Sequence, residues 1–115
     1  MKVTVSTKIT AAADELKIFL ENTIHGKLQK IFLFGSSVRS DYESNSDVDI
    51  LILADLTVTE LEDLNKRLDV IAAEISLKYN IVLSPILKNA GTFFSYSDLL
   101  PFYRNIVSEG LVLYG

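Results

Sequence analysis

Apolar residues recur at helical spacing in some stretches and crowd into short continuous runs in others, and the switches between them lay out the elements. Over residues 8–25, Ile9, Ala12, Ala13, Leu16, Phe19, Leu20 and Ile24 fall near helical spacing. That spacing predicts a helix, and Gly26 suits the position just past its end. Residues 29–34 and 48–53 are short apolar runs that read as strands. Residues 59–79 carry Leu61, Leu64, Leu68, Ile71, Ala72 and Ile75 as one stripe, with Glu60, Glu62, Asp63, Lys66, Arg67 and Glu74 on the other sides. This predicts the clearest helix of the chain, and both Thr57 with Glu60 and Thr59 with Glu62 fit a capping box at its start. Residues 80–88, NIVLSPILK, read as a third strand, with Pro85 marking an edge or a bulge because it cannot donate to a ladder. Residues 98–109 predict a last helix, capped by Ser97 or Asp98, with Pro101 in its first turn and Gly110 ending it. The tail LVLYG reads as a short strand or as a segment docked on a partner.

The predicted order is helix, strand, loop, strand, helix, strand, helix. It implies an α+β (α/β) fold in which a small mixed sheet carries helices mainly on one face. At 115 residues, the expectation is one domain over 1–115.

Composition narrows the function classes. The chain is 49% hydrophobic and has no cysteine, which excludes a disulfide framework and a thiolate metal site. The absence of cysteine, an N-terminus without a signal-peptide core and the lack of a bilayer-length apolar run predict a cytoplasmic protein away from membranes. A net charge of −4 argues against direct nucleic-acid binding, which usually shows a basic stripe. It does not argue against a nucleotide, whose phosphates a cation can meet.

The candidate chemistry lies in GSSVRSDYESNSDVD, residues 35–49, between the first two strands. Asp47 and Asp49 are two apart at the start of a strand, so their side chains share a face. Two carboxylates so placed repel each other unless a cation neutralises them, and a hard divalent ion such as magnesium takes carboxylate and phosphate oxygens together. At the other end, Gly35 lets backbone N–H groups turn toward an anion, and Ser36 and Ser37 add hydroxyl donors. Each feature alone is commonplace. Together, at the ends of adjoining strands, they read as a nucleoside triphosphate site with magnesium. The alternating acids from Asp41 to Asp49 do not make an EF-hand, since Ser46 and Ile52 stand where glycine and glutamate are required. His25, the only histidine, is explained by a helix C-terminus.

The stretch LFGSSVRSDYESNSDVDILIL resembles the signature of the DNA-polymerase-β-like nucleotidyltransferase superfamily, and the length resembles its minimal, MntA-like members. The resemblance implies that Gly35, Ser36 and Ser37 bind the triphosphate, that Asp47 and Asp49 are catalytic and hold Mg2+, and that Arg39 braces the nucleotide-binding loop. It implies transfer of a nucleoside monophosphate, AMP from ATP being favoured, to a hydroxyl. With no second domain expected to hold a small substrate, the acceptor is read as a macromolecule. A HEPN-type helical protein silenced by its antitoxin is the partner the resemblance suggests, and an oligomer is compatible with it. The chain departs from the pattern in one respect: relatives usually carry a third acid on the strand after the long helix, whereas IVLSPILK has only Ser84. The alternative function is therefore a nucleotide-binding or partner-binding module with weakened catalysis.

Overall fold

The fold is organised around one strand that is covered on both faces. The structure, a computed structural model, describes residues 7–35 and 47–115. In chain order its elements are α1 (Thr7–Thr23), β1 (Leu28–Phe34), β2 (Asp47–Ala54), α2 (Val58–Tyr79), β3 (Val82–Asn89), α3 (Ala90–Tyr96), α4 (Pro101–Glu109) and β4 (Leu111–Tyr114). The sheet order is β3-β2-β1-β4. β1 runs antiparallel to β2 and β4, while β3 runs parallel to β2. The long helix α2 supplies the crossover that a parallel pair needs.

Alternation along β2 sends its side chains to opposite faces. Val48, Ile50, Ile52 and Ala54 join Ile31 and Leu33 of β1 in the larger core, under Leu16 and Leu20 of α1 and Leu64, Leu68 and Ile75 of α2. Leu51 and Leu53 join Phe32, Ala90, Phe93 and Ile106 in a smaller core on the opposite face, under α3 and α4. The sequence predicts helices mainly on one face; the two long helices share that face, and the other carries two short ones.

Local signals explain the boundaries. Thr57 caps α2: its hydroxyl accepts from Glu60 N at 3.2 Å, and its own N–H donates to Glu60 Oε1 at 3.0 Å. Of the two capping boxes the sequence permits, this one forms. Asn80 ends α2 in the left-handed conformation, with φ 53°. Pro85 lies in β3, an edge strand of the sheet, as its missing N–H requires. LVLYG does form a strand, β4, on the other edge.

The last predicted helix is corrected. Residues 98–109 do not form one helix: α4 starts at Pro101, because the residue before a proline is pushed out of the helical region. Ser97 instead ends the short helix α3, which Asn89 starts by accepting from Thr92 N at 3.0 Å. Among the described residues, no helix is long and apolar enough to cross a membrane.

Candidate functional site

Asp47 and Asp49 open β2 on the face that carries α3 and α4, since they share parity with Leu51 and Leu53. Asp47 is exposed and Asp49 half-buried. The neighbouring strands decide what stands beside them. On β1 the residue opposite Asp49 is Phe34, and on β3 it is Ser84. The Ser84 hydroxyl donates to Asp47 Oδ2 at 3.4 Å. A carboxylate pair thus stands between an aromatic ring on one side and a hydroxyl on the other.

Gly35, directly after β1, completes the geometry. Its backbone is left-handed, with φ +77°, a conformation that side chains resist. A Cβ at this position would come within 2.5 Å of Asp49 Oδ2. The left-handed backbone favours glycine here, and a side chain at this position would also push the Asp49 carboxylate aside. The two ends of the 35–49 segment, read separately from the sequence, meet here. Ser36, Ser37 and Arg39 lie outside the described residues.

Two carboxylates on one strand face offer hard oxygen donors to a divalent ion. Among the described residues no group of three His, Cys, Asp or Glu side chains forms an ion cage. Position 84, where a third acid could have joined the pair, holds a hydroxyl. The donor set fits a magnesium ion that brings phosphate oxygens and water as its remaining ligands.

Two carboxyls away from this row are held low by structural contacts. Lys27, and then the Thr57 backbone, lower the Glu60 carboxyl to about 2. The Tyr79 hydroxyl and Lys78 lower that of Glu15, a contact that ties α1 to α2. His25 lies in the turn between α1 and β1, at the far end of the sheet from the carboxylates. Sequence reasoning missed the aromatic flank. Phe34 meets Phe102 of α4 edge-to-face at 5.8 Å, a pairing across 68 positions of sequence. The one local signal is that Phe34 directly precedes Gly35.

Comparison with known proteins gives the family and the fold. The family model described as a nucleotidyltransferase domain matches residues 16–113. A putative protein adenylyltransferase of Methanocaldococcus jannaschii is 36% identical over 95 residues, covering 83% of this chain and 87% of that protein. A second putative protein adenylyltransferase of the same organism is 41% identical over 75 residues, covering 64% of this chain and 72% of its own length. Two solved toxin–antitoxin structures share the fold. A mutant MntA–HpeT complex gives a TM-score of 0.53 at 20% identity, covering 89% of this chain and 73% of that one. A toxin–antitoxin structure with AMP-PNP gives 0.52 at 22%, with the same coverage. With a strand-end glycine packed on a paired carboxylate and a family match over most of its length, the chain belongs to the nucleotidyltransferase-domain family.

Proposed function

We propose that residues 1–115 act as one nucleotidyltransferase domain that moves AMP from ATP, with Mg2+, to a hydroxyl on a macromolecular acceptor. The observation that supports this reading is the close approach of Gly35 to the Asp49 carboxylate, so that the two ends of the 35–49 segment, read as phosphate-binding and ion-binding, adjoin. The likeness to two archaeal proteins named as protein adenylyltransferases supports AMP and a protein acceptor. AMP-PNP in one structural neighbour supports an adenine nucleotide.

In this reading Asp47 and Asp49 hold the ion and orient the triphosphate. Gly35, Ser36 and Ser37 bind its phosphates, and Arg39 braces the segment. Bound magnesium draws charge from the phosphate oxygens and lowers the pKa of the attacking hydroxyl. The acceptor hydroxyl gives its proton to solvent, its oxygen bonds to the α-phosphorus, the bond from that phosphorus to the bridging oxygen breaks, and pyrophosphate leaves. The toxin–antitoxin neighbours support a partner protein as acceptor. By the resemblance of the loop signature, that partner is a HEPN-type helical toxin and the reaction takes place in the cytoplasm.

Ser84 favours a second reading. A hydroxyl where a carboxylate would complete the ion site lowers the negative charge available to activate the acceptor, so the domain would bind nucleotide and partner but transfer slowly. Thermal unfolding with ATP, with and without magnesium, tests the shared part. Saturation at a hundred times Kd adds about 2.7 kcal/mol of stability. That gain should need magnesium and vanish in Asp49→Asn. Magnesium-dependent transfer of label from α-labelled ATP to a co-expressed partner separates the two readings: transfer lost in Asp49→Asn supports the enzyme, and binding without transfer supports the module. A gain that persists in Asp49→Asn would remove the site.

A further inference from the structure

The β1 side of the carboxylate row leads, through Phe34, to a half-exposed ring that the fold holds in place. Phe34 lies opposite Asp49, so its ring stands on the carboxylate face of the sheet. Phe102 sets its ring against Phe34 at 83° and is 51% exposed. It is not a loose surface side chain. Pro101 fixes the first turn of α4, Phe102 also touches the Tyr103 ring at 5.9 Å, and Tyr103 rests at 4.6 Å on Phe93, which is fully buried. A chain of rings thus runs from the core to the surface and stops beside the carboxylates. An exposed, anchored aromatic face is what a planar ring from solution needs, because it loses little side-chain freedom on stacking. Ser84, on the opposite flank, is polar and suits an incoming hydroxyl. The aromatic flank suits the donor.

We propose that Phe102, backed by Phe34, is the wall on which the base of the bound nucleotide stacks, and that it sets a preference for purines. This rests on the nucleotide reading of the carboxylate site. Stacking is tolerant of base identity but stronger for larger rings, so the wall favours ATP and GTP over CTP and UTP without reading hydrogen-bonding edges.

The test is calorimetric titration of wild type, Phe102→Ala, Phe102→Leu and Phe102→Trp. The ligands are each of the four nucleoside triphosphates and, separately, inorganic tripolyphosphate, all with magnesium. The expected result is a loss on the order of tenfold in MgATP affinity for Phe102→Ala. A smaller loss is expected for Phe102→Leu and full affinity for Phe102→Trp. Tripolyphosphate affinity should stay constant throughout, and the purine preference should shrink in Phe102→Ala. Unchanged thermal unfolding of Phe102→Leu and Phe102→Trp shows that the fold is intact. Equal MgATP affinity in wild type and Phe102→Ala would overturn the proposal, and if transfer alone fell, the wall would belong to the acceptor. Equal losses for ATP and tripolyphosphate would also overturn it, since the ring would then act on the phosphates. Wild type binding neither ligand would fail the nucleotide reading itself and the wall's role with it.

Discussion

The two faces of the sheet are built from the same strands and do different work. Under α1 and α2 the cover is complete: Val48, Ile50 and Ile52 of β2 are all fully buried. Under α3 and α4, helices of seven and nine residues, only the middle of the strand is covered, and Leu51 and Leu53 are buried while Asp49 and Asp47 emerge. The closed face supplies most of the burial that stabilises the domain. The half-closed face leaves room for chemistry at the strand's first residues. Stability and reactivity are thus divided by side-chain parity along one strand.

The largest expected effect comes from breaking the closed face. Leu68, at 1% exposure, packs from α2 into the larger core, and Leu68→Ala should cost about 2–5 kcal/mol, a fall in Tm on the order of 10 °C. At a temperature where the variant is still folded, its affinity for MgATP by calorimetry should match wild type, because the two faces are separate. A selective loss of affinity would break the comparison.

A smaller effect sharpens the open face. Ser84→Asp adds a third carboxylate beside Asp47 and Asp49 at a position outside both cores. Binding of Mn2+ alone, followed by electron paramagnetic resonance, should tighten about tenfold, because a further hard anionic ligand joins the pair. Ser84→Ala should leave it unchanged. Nucleotide-independent ion binding that does not respond to the aspartate would mean that position 84 does not face the ion.

The smallest effect belongs to a clamp at the far end of the sheet. Lys27, in the turn before β1, meets Glu60 in the first turn of α2 at 2.6 Å. The Glu60 carboxyl is lowered from 4.5 to about 2 by Lys27 and then by the Thr57 backbone. A lowered folded pKa means that the contribution is present above about 4.5 and is lost as pH falls through about 2. Both groups are solvent-exposed, so the effect is small. Glu60→Gln should lower Tm slightly above about pH 5, and the difference from wild type should close as pH falls through about 2, which flattens Tm against pH in between.

Much of this was legible in the sequence, and the exceptions have physical causes. The two long helices declared themselves by period and the strands as short apolar runs, and the pairing of Asp47 with Asp49 on one face followed from strand geometry alone. The family resemblance carried by the loop signature agrees with the nucleotidyltransferase-domain match. Helix α3 was missed because AGTFFSY is short and poor in strong helix formers. It forms because Asn89 caps it and Phe93 buries its ring completely. Asn89 three residues before Thr92, with Ala90 and Phe93 on one face, was the available signal. The aromatic flank was not legible, because Phe34 and Phe102 are joined only by tertiary packing. The position of Ser84 depended on the register of a parallel pair, which the sequence alone does not fix.

That parity also constrains how such a protein can vary in evolution. Between Asp47 and Ala54, inserting or deleting one residue would exchange the two faces for every side chain beyond the change. Such a change would drive a carboxylate under the long helices or turn leucines out toward the site. Substitutions can accumulate in this strand wherever size and polarity are kept, but its residue count is inherited as a unit. Lineages that diverge in acceptor or base preference are expected to do so through the flanking positions, 34, 84 and 102, while these eight residues keep their number.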